Sequence, residues 1–144
     1  MRLVFSLFLS LLLSCHSFGQ EIVTWNNFYD ISSKKIEMTA SMKDGWHIYS
    51  LDVDESIGPI ATSFEFETSE SYEVVGGVNQ PEPLMEYDAN FEGDLRFFEN
   101  EVTFTQEINV KKKDDLKVVV TFMVCNAEMC LPPVDQEFII KIEK

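Results

Sequence analysis

Basic side chains are scarce in this chain. Eleven lysines and arginines face 25 aspartates and glutamates, for a formal charge of −14. A surface of that sign repels phosphate backbones and anionic lipid, which argues against nucleic acid or a charged membrane surface as partners. Histidine is nearly absent, with two residues, His16 and His47. A structural zinc site needs a second ligand pair that the chain does not offer. No Gly-x-Ser-x-Gly and no phosphate-cradling glycine loop occurs, so the marks of an esterase elbow or a P-loop are missing. Long apolar runs are also missing, except Leu3 to Leu13, which Ser6 and Ser10 interrupt. Crossing a bilayer takes about 20 apolar residues, so this run is too short for a membrane span.

That one run has another use. Arg2 precedes it, and the small or polar residues Ser14-Cys15-His16-Ser17-Phe18-Gly19-Gln20 follow. This is the layout of a secretory signal peptide over residues 1–19. Ser17 and Gly19 fall at positions −3 and −1 of a cut before Gln20. An alternative cut after Leu12-Leu13-Ser14 would make Cys15 a lipidated anchor. Either route predicts a periplasmic or otherwise exported protein. Residues 20–144 suit a single domain, long enough to bury a core without help from a disulfide.

Period-two alternation dominates that domain. Ile36, Met38, Ala40 and Met42 share one face of a strand. Val102 to Val110 alternates likewise, with Gln106 as the exception. Phe138, Ile140 and Ile142 alternate with Ile139, Lys141 and Glu143, and Phe64 and Phe66 flank Glu65. These patterns predict half-buried strands. Leu116 to Cys125 reads as one evenly apolar, central strand, with further strands around 21–28, 46–50 and 72–78. Turn signals at Asp44-Gly45, Gly58-Pro59, Gly76-Gly77, Gly93-Asp94 and Lys113-Asp114-Asp115 separate them. No helical stripe is evident. The pattern predicts an all-β antiparallel sandwich of seven or eight strands. Residues 81–100 lack a clean pattern and read as a long loop rich in acids and aromatics.

Only three cysteines occur, and with Cys15 in the leader region Cys125 and Cys130 are the two left to the domain. The intervening Asn126-Ala127-Glu128-Met129 can form a tight hairpin connection. That would bring the two Cα atoms near the 4.4–6.8 Å window for a disulfide. Closing so small a ring restricts the unfolded chain by only about 2 kcal/mol. Spacing alone leaves two readings open, an inert staple and a labile redox bridge. Copper or zinc held by Cys125, Cys130 and a distant ligand, with Met123 or Met129 as thioethers to Cu(I), is a third. His47 lies in an alternating strand, where a lone histidine is usually structural.

The segments around the pair resemble the N-terminal periplasmic domain of the DsbD family, bacterial thiol:disulfide interchange proteins. Asp44-Gly45-Trp46-His47-Ile48-Tyr49 is similar to the family's Gly-aromatic-x-x-Tyr strand, and Gly58-Pro59 to its Gly-Pro turn. Phe91-Glu92-Gly93, with Phe97 and Phe98, looks like its cap-loop region. Val118 to Cys125, continuing to Cys130-Leu131-Pro132-Pro133, resembles its active-site strand and hairpin. The best-known members have five residues between the cysteines, and this chain has four.

The resemblance implies an immunoglobulin-like sandwich that passes electrons by thiol–disulfide exchange without a cofactor or metal. Cys130 matches the cysteine that forms mixed disulfides, and Cys125 the resolving one. Phe91 matches the aromatic cap over the bridge. Tyr49 and Trp46 match residues lining the site, and Asp88 is the nearest match to the acidic cap residues. The implied partners act in trans: a thioredoxin-like electron donor and periplasmic disulfide-containing acceptors. The alternative reading is a non-catalytic sandwich that binds protein and keeps the bridge as a staple.

Overall fold

The computed structural model describes Ile22 to Lys144. The expected leader, its cut and Cys15 lie outside the described residues. Eleven strands are described: β1 (Val23–Asp30), β2 (Lys35–Met42), β3 (His47–Tyr49), β4 (Ser63–Phe66), β5 (Tyr72–Asn79), β6 (Leu84–Asp88), β7 (Gly93–Glu99), β8 (Glu101–Val110), β9 (Asp114–Phe122), β10 (Val124–Cys125) and β11 (Val134–Ile142). Every pairing is antiparallel. One sheet has the order β1-β2-β8-β5 and a second β11-β9-β4. Their inward faces pack on each other as the sandwich expected from the alternation, with the immunoglobulin-like architecture that the resemblance implies.

The main core follows from that alternation. Ile36, Met38 and Ala40 from β2 meet Val102, Phe104 and Ile108 from β8 on one side. Leu116, Val118, Val120 and Phe122 from β9, with Ile140 and Ile142 from β11, close the other. Trp25 on β1 packs among Phe64, Phe104, Phe122 and Phe138, with ring centroids 5.6–6.3 Å away. Each buried aromatic or aliphatic side chain contributes about 1.5–3 kcal/mol relative to exposure.

Gln106 is the exception to the alternation, and the fold accounts for it. Its side chain is buried, and Nε2 donates to Val75 O at 2.8 Å and Glu107 O at 2.9 Å. The β5–β8 register shifts between Val75 and Asn79, and Gly76 there adopts a φ of 66°. The amide thus replaces a ladder bond that the irregularity removes. Gln106→Leu, which strands the Val75 carbonyl, is expected to cost about 1–3 kcal/mol in a urea unfolding experiment.

Two sequence expectations need correction. The unpatterned stretch 81–100 is a hairpin, β6 and β7, and not a long loop. β6 is a sheet edge exposed at every position but Asp88, while β7 buries Leu95, Phe97 and Phe98 on both its faces. Neither environment produces two-period alternation. Likewise Leu116 to Cys125 is not one strand. β9 is central in its sheet but ends at Phe122. After Met123 the chain enters a third sheet, of order β10-β3-β7-β6. The sandwich itself uses seven strands, and this small sheet supplies the strands beyond the expected seven or eight. It carries the cysteine hairpin.

Candidate functional site

β10 leads straight into the hairpin. The Leu131 N–H donates to Val124 O and the Asn126 N–H to Met129 O, both at 2.9 Å. Asn126 Oδ1 accepts the N–H groups of Glu128 and Met129, each at 2.9 Å, so its side chain closes the turn. Between the two bonded pairs, Cys125 and Cys130 face each other as an antiparallel bridge. Non-hydrogen-bonded pairs of this kind bring side chains closest. The Cα atoms are 4.0 Å apart and a disulfide joins the side chains. The two sulfurs occupy different environments. Cys125 is 0 % exposed, whereas Cys130 is half-buried beside the exposed Ala127, Glu128 and Met129.

A second apolar cluster surrounds the bridge. Tyr49, Val53, Leu95, Phe97 and Cys125 form its buried part, with Ile57, Phe91, Met123 and Cys130 packed against it. Strand β3 supplies both cores: Ile48 points into the sandwich and Tyr49 into this cluster. All three β3 residues are therefore buried.

Phe91 sits in the β6–β7 turn. Asp88 Oδ1 accepts the Asn90 N–H at 2.8 Å, which tightens the turn, and Glu92 takes a left-handed φ of 56°. The Phe91 ring lies edge-on to Tyr49, centroids 5.9 Å apart. It also rests on Gly58, where a Cβ would stand 2.8 Å from Phe91 Cδ1 and φ is 132°. Only glycine meets both conditions. Asn90 Nδ2 then donates to Asn126 O at 2.9 Å, tying the turn to the cysteine hairpin.

Behind Phe91 is a buried polar group. Tyr49 donates its hydroxyl to Asp88 Oδ2 at 2.6 Å. His47 Nε2 lies 3.4 Å from that hydroxyl and 3.5 Å from Asp88 Oδ2. Thr62 Oγ1 donates to the Tyr49 carbonyl at 2.6 Å. Burial raises the Tyr49 hydroxyl far above its ordinary value, and the Asp88 charge adds to this. Burial alone would also raise Asp88, but the bonds from Tyr49 and Asn90 and the proximity of His47 outweigh it and hold the carboxyl below its usual range. Burial lowers His47 below 6.5, against the opposing pull of Asp88 and Glu99.

These shifts give the acid limb of stability a sign. Below about pH 6.5 an unfolded histidine binds a proton that folded His47 refuses, so the unfolded state gains protons first. Stability is expected to be intact at neutral pH and to decline as pH falls below about 6.5. A further decline follows below about 4, where an unfolded aspartate protonates before Asp88 does. Urea midpoints measured from pH 8 to pH 3 test this. His47→Phe should flatten the first part of the decline and leave the second.

A cleft of about 310 Å³ opens in front of this group, lined by His47, Asp88, Asn90, Phe97, Glu99 and Asn126 among others. It adjoins the hairpin through Asn126. Among the described residues no cluster of three His, Cys, Asp or Glu is placed to hold a metal ion, and no helix is long and apolar enough to cross a membrane.

Of the residues singled out in the sequence, Cys125, Cys130, Tyr49 and Phe91 meet in one cluster. Asp88 joins it through Tyr49. Trp46 packs instead against the sandwich core. His47, read from the sequence as a structural strand residue, and Asn126, read only as part of the hairpin connection, also line the site, as does Asn90, which the sequence did not single out. His47 and Tyr49 stand two apart and so share a strand face, which was a usable signal. The Asn90–Asn126 link joins two turns distant in sequence and left none.

A protein-family model described as thiol:disulfide interchange protein DsbD, N-terminal, matches residues 20–141. Among solved structures, the Neisseria meningitidis DsbD N-terminal domain in the reduced form is similar at 16% identity and TM-score 0.65, covering 87% of this chain and 89% of that one. The complex between the DsbD N-terminal and PilB N-terminal domains of the same organism is similar at 16% identity and TM-score 0.60, covering 81% and 80%. The N-terminal periplasmic domain of ScsB from Proteus mirabilis is similar at 20% identity and TM-score 0.56, covering 84% of this chain and 45% of that one. No curated protein matches the sequence.

Proposed function

The chain belongs to the family of DsbD N-terminal domains, and from that premise we propose that it relays reducing equivalents between exported proteins through the Cys125–Cys130 pair. One observation carries the reading: a disulfide set in a two-stranded hairpin, with one sulfur buried and the other half-buried beside an exposed turn. A staple gains nothing from such asymmetry, whereas a relay needs one sulfur reachable and one held in reserve.

In the cycle, a donor thiolate attacks Cys130 and displaces Cys125 as a thiolate that takes up a proton. The donor's second thiol then attacks the mixed disulfide and leaves oxidised, so two electrons have passed to the pair. The Cys130 thiolate next attacks an acceptor disulfide and displaces one acceptor sulfur. Cys125 attacks Cys130, the bridge re-forms, and the acceptor departs as a dithiol. Phe91 over the cluster limits attack by stray thiols. The donor is a thioredoxin-like domain acting in trans, and the acceptors are disulfide-bearing proteins of the periplasm. That the similar Neisseria DsbD N-terminal domain forms a complex with a PilB N-terminal domain supports a protein partner acting in trans.

A redox titration of residues 20–144 in glutathione and dithiothreitol buffers tests the reading. The pair is expected to equilibrate above about −300 mV. A bridge that stays oxidised well below that potential is a structural staple, and the relay is then wrong.

A further inference from the structure

The β10–β3 register places Cys125 directly opposite His47. Opposed residues on neighbouring strands point to the same face, with Cβ atoms about 5 Å apart. The register continues outward, since Glu99 on β7 is His47's partner on the other side. Glu99, His47, Cys125 and Cys130 thus form one row across the small sheet.

This placement bears on a step that the relay leaves without a proton acceptor. Cys125 is 0 % exposed, so solvent cannot readily collect its proton, and burial disfavours a bare thiolate. It must nevertheless become a thiolate to attack Cys130. The ionisable groups facing the row are Tyr49, Asp88, Glu99 and His47, with Tyr87 further out along the cleft. Tyr49 and Asp88 are locked together by a 2.6 Å bond, one kept protonated and the other ionised. Only the imidazole changes charge readily near neutral pH.

Its tautomer follows from the bonding. Tyr49 spends its proton on Asp88, so the His47 nitrogen facing both oxygens, Nε2, carries a hydrogen. Nδ1 then keeps its lone pair and can accept a proton. Asp88 and Glu99 stabilise the imidazolium that results.

We propose that His47 takes the proton of the Cys125 thiol as Cys125 attacks the mixed disulfide held on Cys130. The Cys125 S–H bond breaks and Nδ1–H forms. The Cys125–Cys130 bond forms as the bond from Cys130 to the partner breaks. The electron pair leaves on the partner sulfur, and His47 returns its proton to solvent through the adjoining cleft. This inference rests on the relay reading and on Cys125 being the resolving cysteine.

The test is a single turnover of the reduced protein with Ellman's reagent, which releases one chromophore when the mixed disulfide forms and a second when it resolves. In wild type both releases are expected, the second with a pH profile set by the imidazole. In His47→Gln, whose amide can still donate toward Asp88, the first release should stay within about twofold. The second should slow at least about tenfold at pH 7 and recover as pH rises toward the thiol range. NMR of the wild-type imidazole gives a readout free of any folding defect: its titration should move upward when the bridge is reduced. An unchanged second phase in the variant, or an imidazole titration blind to reduction, overturns the proton role and leaves the relay standing. Absence of the second release in wild type overturns both.

Discussion

Cys125→Ala is expected to turn the protein into a trap. Mixed with a disulfide-bearing peptide or partner domain, it should accumulate an adduct through Cys130 that survives denaturing gels and is released by reductant. Cys130→Ala should form at least about tenfold less adduct, because the remaining sulfur is fully buried and thiol reactivity depends on access. Both variants are expected to fold. Opening so small a ring costs only about 2 kcal/mol, well inside the 5–15 kcal/mol typical of a domain. Non-reducing electrophoresis with mass spectrometry reads the result. Equal adducts from the two variants would mean that the hairpin opens to expose Cys125, and the assignment of roles would fall.

Asp88→Ala should have the largest effect on stability. The carboxylate receives the Tyr49 hydroxyl and the Asn90 N–H and lies beside His47. Its loss leaves those donors without a partner in a buried setting, at a cost of about 3 kcal/mol. The same change loosens the turn that holds Phe91 over the cluster. Reduction of the bridge by dithiothreitol should therefore accelerate, by about tenfold if the cap is fully released. Asp88→Asn keeps an acceptor for the turn and should lose roughly half as much stability, with little gain in reduction rate. If Asp88→Ala loses stability but its bridge resists dithiothreitol as before, Phe91 does not shield the bridge through this turn. Chemical denaturation and a stopped-flow reduction assay separate these outcomes.

Alternation in β2, β8 and β11 marked the sandwich, because those strands have one face in the core and one in water. That contrast is written directly into hydropathy. It failed at β6 and β7, where an edge strand is exposed almost throughout and its neighbour is buried on both faces. It also failed at Met123, where the chain changes sheets while staying apolar. Gln106 looked like an error in the pattern until the irregularity in β5 supplied its carbonyl partner.

The sequence by itself determined the strand faces, the acidic surface and a close cysteine pair across a short turn. Local spacing suffices for these, since side-chain direction in a strand repeats every two residues and a four-residue connection can close only a small ring. Tertiary structure decided what surrounds the pair. It buried Cys125, left Cys130 within reach, placed Phe91 against Gly58, and set His47 across from Cys125. These relations depend on register between strands far apart in the chain, and only the closed sheet fixes that register.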